Sequence, residues 1–306
     1  WNSKDDLAEC LRSLERQTDR DFETIVVDNG SVDGSEEHVR REFPSVTVVQ
    51  TGANLGFAGG VDRGIERARG EWIALLNNDA AAEPRWIEEL RAQTRHCDAR
   101  LGMLQSRVLF KTRPDRTNST GVLLFPDGTA CDRDFDAVAR ADDAVEEVFC
   151  TTAGAGLYRR QMLDEVRLPT GIFDETFFMY FEDLDLGWRC RLAGWEALYV
   201  PTAVVHHALY GSSSRQGNHF VERHCKRNRV RMMLKNASVR FLLRGIPRTV
   251  ADIAQLVSWD GPTALLDVAR AVRDAATQRA AVSRIVQGSR RSVERRWVVK
   301  RRPVSA

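Results

Sequence analysis

Three short apolar runs alternate with stretches of helical periodicity near the start of the chain, and that alternation most narrows the folds open to it. Thr24-Ile25-Val26-Val27, Val46-Thr47-Val48-Val49 and Trp72-Ile73-Ala74-Leu75-Leu76 each read as a short buried strand. Around them, Leu7, Cys10, Leu11 and Leu14 predict an amphipathic helix over Asp5 to Gln17, capped by Ser3 or Asp5. Ser35 to Phe43, Val61 to Ala68 and Arg85 to Arg95 predict three more helices, and Gly52 to Gly60 a glycine-rich turn. Strand and helix in strict succession imply a doubly wound α/β fold, its central sheet Rossmann-like and mostly parallel with helices on both faces. Such a fold should open on a buried strand, whereas this chain starts at Trp1-Asn2 and runs almost at once into helix. A strand is therefore expected before Trp1.

Beyond Leu101 the pattern loosens. Met103 to Ser106, Gly121 to Phe125, Cys150 to Tyr158 and Leu198 to Val200 read as strands, with Val204-Val205 just past Pro201. Asp132 to Glu147 reads as a mobile acidic excursion, and Asp185 to Leu192 as a helix stopped by Gly194. The remainder is helical, with breaks expected at Pro247, Gly261-Pro262 and Gly288.

The net charge of +2 conceals a segregation. From residue 221 onward there are 20 Lys/Arg against 6 Asp/Glu, a net of +14, so residues 1–220 carry a net of −12. This predicts a basic extension with an anionic partner, either lipid or nucleic acid. The six cysteines (Cys10, Cys97, Cys131, Cys150, Cys190 and Cys225) show no CxxC spacing, which argues against zinc, and they are expected to be reduced thiols in a cytosol. No apolar stretch approaches the roughly 18 residues a membrane-spanning helix needs.

Ligands of open α/β sheets bind outside the carboxyl ends of the strands, and five groups of residues stand at or near such ends. Asp28 follows the first strand and could accept a hydrogen bond from a uracil or thymine imide; Ser35 is the helix cap. Asn54-Leu55-Gly56-Phe57-Ala58-Gly59-Gly60 allows close backbone approach and an open helix N-terminus suited to a diphosphate, or is simply a tight turn. Asn77-Asn78-Asp79 offers oxygen donors to Mg²⁺ or Mn²⁺. Glu182-Asp183-Leu184-Asp185 crowds three carboxylates behind an aromatic run, with Asp183 the better general base and Glu182 its support. Asp185 supports it too, or pairs with Arg189 one helical turn on. His206-His207, near two acidic clusters, are candidate metal ligands. Trp188 is either core or a wall of the acceptor site.

These residues in this order resemble a family 2 glycosyltransferase of the GT-A fold, in particular its bacterial rhamnosyltransferase-like branch. The matching segments include Val26-Val27-Asp28-Asn29-Gly30-Ser31, Asn54-x-Gly56-Phe57-Ala58-Gly59-Gly60, Leu76-Asn77-Asn78-Asp79, Gly154-Ala155-Gly156-Leu157-Tyr158-Arg159-Arg160, Phe173-Asp174-Glu175-x-Phe177-Phe178 and Glu182-Asp183-x-Asp185-Leu186-x-x-Arg189. The resemblance covers roughly the first 230 residues. It implies that Asp28 contacts the base, that Asp79 occupies the metal-binding Asp-x-Asp position with His207, and that Asp183 deprotonates the acceptor. Within the matching segments, Asn29, Asn54, Gly56, Gly59 and Asn78 are the expected further nucleotide contacts. Gly154, Ala155, Gly156 and Trp188 are the expected acceptor-site residues. The metal motif departs from the family in reading Asn-Asn-Asp.

The expectation is an inverting hexosyltransferase using a dTDP- or UDP-sugar, best matched by dTDP-L-rhamnose, on a lipid-linked or cell-envelope glycan. The alternatives are a UDP-sugar transferase of the same family (galactofuranosyl, glucosyl or N-acetylglucosaminyl) and a non-catalytic sugar-nucleotide binder. Residues 1–115 would form the nucleotide-sugar half and 116–220 the acceptor half of one domain, with 221–306 a basic helical extension. Arg223, Lys226, Arg227, Arg229, Arg231 and Lys235 interleave with apolar residues, as do Arg240 and Arg244 further on. That pattern predicts either a helix on an anionic membrane surface, in a cytoplasmic protein peripheral to the inner face of the membrane, or one packed on the catalytic domain. Nucleic-acid binding is not expected, given the acidic first part.

Overall fold

The computed structural model describes residues 1–95, 97–140, 144–208 and 217–300. The last six positions of the basic extension and residues 209–216 of the expected acceptor half lie outside them.

The opening elements follow the sequence pattern: α1 (Lys4–Glu15), β1 (Ile25–Asp28), α2 (Ser35–Glu42), β2 (Thr47–Gln50), α3 (Gly56–Arg67) and β3 (Trp72–Leu76). β1 and β2 pair in parallel with Val26 opposite Val48, and bury a small core of Leu11, Val39 and Phe43 under α1 and α2. Next come β4 (Ala80–Ala82), α4 (Trp86–Thr94), β5 (Leu101–Phe110), β6 (Thr117–Ser119), β7 (Val122–Leu124), β8 (Ala130–Asp132) and β9 (Glu146–Glu147). They are followed by β10 (Ala155–Arg159), α5 (Arg160–Glu165), α6 (Glu182–Leu192) and β11 (Glu196–His207).

The large sheet runs β3-β10-β5-β11-β4, with β6 added beside β5 and β9 beside β11. It is mixed rather than mostly parallel. β10 runs antiparallel to both β3 and β5, β4 is antiparallel to β11, and only β5 and β11 pair in parallel. The reason is that β10 comes from the second half of the chain and inserts between two strands of the first. Both halves expected from the sequence therefore share one sheet. Alternate residues of its strands feed opposite faces. Leu104, Val108 and Leu157 meet Trp86 and Leu90 of α4, whereas Met103 and Tyr158 join the core of Trp188, Trp195 and Phe173.

Several local readings change. Gly56 to Gly60 are the first turn of α3, not a loop before it. β11 is one strand across Pro201, because a register shift between Val200 and Val204 takes up the residue that cannot donate. Asp132 to Val138 is not a free excursion: it folds back on residues 115–121, with Arg133 N donating to Gly121 O at 2.8 Å and Thr117 N to Ala137 O at 2.9 Å.

The basic extension forms α7 (Asn218–Asn236), α8 (Val239–Asp260), α9 (Thr263–Ile285) and α10 (Arg290–Trp297). Breaks fall at Gly261-Pro262 and Gly288 as expected, but α8 continues through Pro247. After α10, Val299 N donates to Leu124 O at 2.9 Å, so the chain's last described residues lie along β7.

Candidate functional site

Asp79 and His207 enter the site from neighbouring elements. Asp79 sits in the turn between β3 and β4, and His207 ends β11 opposite Ala80. Nε2 of His207 lies 3.1 Å from Asp79 Oδ1, and its Nδ1 is 3.0 Å from Asn118 Oδ1 on β6. Were Nδ1–H to donate to the Asn118 carbonyl, the Nε2 lone pair would be free to share a cation with the carboxylate. Asp79 and His207 could then supply two ligands to a hard divalent cation that completes its shell with phosphates and water. His206, the second candidate, faces the other way and meets Glu83 at 3.0 Å. Among the described residues no group of three His, Cys, Asp or Glu side chains is gathered for a metal.

The second cluster opens α6. The helix starts at Glu182, three residues earlier than the sequence pattern indicates, so Glu182 and Asp183 occupy a first turn where the helix dipole favours negative charge. Asp183 Oδ1 accepts from Leu184 N at 2.7 Å, and Oδ2 faces Ala153 N at 3.4 Å. Burial raises the carboxyl of Asp183, opposed by those backbone donors. Burial raises Glu182 further, with help from the Asp183 charge, and its Oε2 is buried without a hydrogen-bond partner.

The two clusters meet around the turn from Thr151 to Gly154. Asn77 N donates to Gly154 O at 2.9 Å on one side, and Asp183 faces Ala153 on the other. Asp132, at the end of the β7–β8 hairpin, lies within reach of the charges of both Asp183 and His207. Its carboxyl is pushed up to about 6, first by burial, against a hydrogen bond from Ser119; the charge of Asp183 raises it and that of His207 lowers it. The reading of 132–147 as an excursion missed this residue. Pro126-Asp127-Gly128 between two short apolar runs was the available signal, since it marks a hairpin turn that sets Asp132 opposite Val122.

The expected nucleotide contacts Asp28, Asn29, Asn54 and Gly56 gather at the carboxyl end of β1 and the start of α3. Asp28 is buried, and its Oδ2 accepts from Gln50 Nε2 at 2.9 Å and Ser31 N at 3.3 Å. Asn29 braces the loop above it: Oδ1 takes Leu55 N at 2.9 Å, and Nδ2 donates to Gly56 O at 2.8 Å and Asn54 Oδ1 at 3.2 Å. The N-terminus of α3 is not open to a diphosphate. Gly56 N donates to Asn54 Oδ1 and Ala58 N to Phe178 O. A Cβ on Gly56 would lie 2.3 Å from Phe178 O, and one on Gly59 2.8 Å from Leu55 Cβ, so these glycines admit the protein's own chain. Asn54 is exposed on that loop, and Asn78 is half-buried beside Asp79.

Nor do the expected acceptor residues all reach the site. Ala155 and Gly156 are buried inside the sheet, paired with Leu76 and Leu75; Gly154 alone lies at the turn, against Asn77. Trp188 is fully buried, edge-on to Phe149 and Phe241, and is core. Asp185 does not support Asp183. It points into the core, where it meets Arg189 Nε at 3.0 Å, Lys235 Nζ at 2.8 Å and Asn236 Nδ2 at 2.7 Å.

A final feature is the approach to α6. Phe178, Tyr180 and Phe181 have φ of +65°, +67° and +71°, and Met179 N closes a γ-turn on Phe177 O at 2.8 Å. For side chains of this size each such residue costs about 1–3 kcal/mol.

The α/β architecture, with its mixed central sheet and helical C-terminal region, is that of the GT-A glycosyltransferase fold. The chain belongs to glycosyl transferase family 2, whose model matches residues 1–167. It is 30% identical over 257 residues to the N-acetylglucosaminyl-diphospho-decaprenol L-rhamnosyltransferase of Mycobacterium tuberculosis (strain ATCC 25618 / H37Rv), covering 71% of this chain and 77% of that protein. It is 26% identical to the putative glycosyltransferase EpsH of Bacillus subtilis (strain 168), over 70% of this chain and 60% of that one. Two solved structures share the fold. The mannosyltransferase PcManGT from Pyrobaculum calidifontis, in complex with GDP-Man and Mn²⁺, superposes with a TM-score of 0.53 at 19% identity over 97% of this chain and 85% of that one. GalNAc-T7 with UDP, GalNAc and Mn²⁺ gives 0.58 at 15% identity, with 76% of this chain covering 46% of that one.

Proposed function

We propose that the protein transfers a sugar with inversion from a nucleoside diphosphate, best matched by L-rhamnose from dTDP-rhamnose, to a lipid-linked or cell-envelope glycan. The approach of Asp183 and of the Asn77–Asp79 segment, which carries His207 beside it, to the same Ala153–Gly154 turn, with Asp132 in reach of the charges of Asp183 and His207, carries this reading. Asp183, raised by burial, takes the proton from the acceptor hydroxyl as that oxygen attacks the anomeric carbon. The new carbon–oxygen bond forms on the face opposite the diphosphate, whose bond to the sugar breaks. Asp132 accepts a hydrogen bond from a substrate hydroxyl beside the base. Asp79 and His207 would hold Mg²⁺ or Mn²⁺, which when bound neutralises charge on the departing diphosphate. Asp28 and the loop braced by Asn29 take the base.

The choice of sugar and acceptor rests on the 30% identical relative, whose name specifies an L-rhamnosyl transfer to a decaprenol-linked acceptor. A UDP-sugar donor is the second reading, kept open by the GalNAc-T7 structure with UDP. A lipid-linked acceptor also gives a role to the exposed face of α8. Val239, Leu243, Ile246 and Val250 are exposed along one side of that helix, with Arg240 and Arg244 exposed beside them, the pattern of a helix that rests on an anionic membrane. On this reading the protein is a peripheral component at the inner face of the membrane. No helix among the described residues is long and apolar enough to cross one.

The test is a transfer assay with dTDP-rhamnose, a polyprenyl-diphosphate-linked N-acetylglucosamine and Mn²⁺. Asp183→Asn is expected to lower kcat by about 10²–10⁴-fold, while dTDP-sugar still raises the melting temperature of the variant. Full turnover by Asp183→Asn removes the assigned base. Stabilisation by neither dTDP- nor UDP-sugars removes the donor class.

A further inference from the structure

The strained approach to Asp183 is gripped by one side chain of the C-terminal helices. Asn228 on α7 is fully buried, and its Nδ2 lies 2.9 Å from each of three backbone carbonyls, those of Phe177, Met179 and Tyr180. An amide has two N–H groups, so three acceptors at equal distance share them, and their carbonyl dipoles all converge on one nitrogen. Its Oδ1 is held in turn by Arg231 Nη1 at 3.2 Å, which also donates to Thr176 O at 2.7 Å. On the opposite side, Ala58 N of α3 donates to Phe178 O at 3.1 Å, and the missing Cβ of Gly56 leaves room for that carbonyl. Segment 176–181 is thus pinned between α3 and α7 with three of its residues at positive φ. Phe181 O then accepts from Asp185 N at 2.8 Å, the bond that opens α6. Any relaxation of the turn re-aims the helix start that carries Asp183.

We propose that Asn228 is a positioning residue that holds the 177–181 turn in its high-energy form and thereby sets the place of Asp183. The proposal rests on Asp183 being the general base. Without the amide, three converging carbonyls repel one another and nothing opposes the return of Phe178, Tyr180 and Phe181 to ordinary dihedrals. Asn228→Asp keeps the shape but turns carboxylate oxygens toward the carbonyls; Asn228→Ser keeps one donor.

The experiment compares wild type with Asn228→Ser, Asn228→Ala, Asn228→Asp and Asp183→Asn, at a temperature where circular dichroism shows each to be folded. The expected result is a fall in kcat of about tenfold to a hundredfold for Ala and Asp, as misplacement of a catalytic group produces. Ser should be milder, with the donor KM within about twofold of wild type and amide exchange faster in 177–183. Should Asn228→Ala fail to fold, Asn228→Ser decides alone. Wild-type kcat in folded variants, or unchanged exchange in 177–183, overturns the proposal. If Asp183→Asn turns over at the wild-type rate, the base assignment falls and this proposal with it. If Asp183→Asn is dead while the Asn228 variants are fully active, only the positioning role falls.

Discussion

Asp183 carries a negative charge that raises the Asp132 carboxyl. Asp183→Asn deletes that charge and should lower the Asp132 carboxyl toward the ordinary aspartate range, which the pH dependence of its carboxyl carbon resonance would report. A midpoint that stays put, or moves up, would sink the coupling. Stability follows the same logic. With its folded value raised to about 6, Asp132 favours the native state below the ordinary aspartate range, and that contribution is lost as pH rises through about 6. Thermal melts of Asp132→Asn should therefore vary less over that window. Asp79, Asp183 and His207 were legible in the sequence because each stands at the end of a strand or the start of a helix. Asp132, Asn118 and Asn228 were not. Each has neighbours supplied by chain 48 or more residues away, and no local spacing encodes that (Asn118 to His207, for example, is a contact across 89 residues).

α6 and α7 are joined by a buried ionic knot. Lys235 Nζ lies 2.5 Å from Asp174 Oδ2 and 2.8 Å from Asp185 Oδ2, and all three side chains are fully buried. Burial alone would raise Asp174, but the Lys235 charge and hydrogen bond outweigh it and hold the carboxyl below the ordinary range. Lys235→Met strands two carboxylates without their cation and is expected to destabilise the fold by about 3–5 kcal/mol, as urea titration would measure. A loss under 1 kcal/mol would mean the knot is incidental. Lys235 was read from the sequence as one of a row of cations on a helix that either lies on a membrane or packs on the catalytic domain. In the structure Arg229 also turns inward, to Asp252 at 2.9 Å, and Lys226 and Arg231 are buried with it. Periodicity reports that a helix is two-sided; it cannot say which polar residues find buried partners on another element. Strand existence was legible for the same local reasons, but not strand order, so the insertion of β10 that makes the sheet mixed went unseen.

The charge segregation of the chain is bridged in the folded molecule by Lys235 and Arg296, which pair with Asp174, Asp185 and Glu147 of the acidic half. Arg223, Lys226, Arg229 and Arg248 instead pair with carboxylates of the extension itself, and α8 turns an apolar and basic face outward. Leu243 and Ile246 are 61% and 50% exposed there. Replacing both by Glu should abolish co-sedimentation with phosphatidylglycerol vesicles while leaving transfer to a water-soluble acceptor analogue within about twofold, because exposed substitutions remote from the chemistry perturb little. Wild-type protein that ignores anionic vesicles, or binds neutral ones equally, would refute a lipid-facing role. The seam between Val299 and Leu124 has a practical corollary. Proteolysis or gene truncation ahead of Val298 is expected to strip the outer edge of the β7–β8 hairpin that carries Asp132, so a stretch that looks dispensable by position would still tell in the behaviour of that residue.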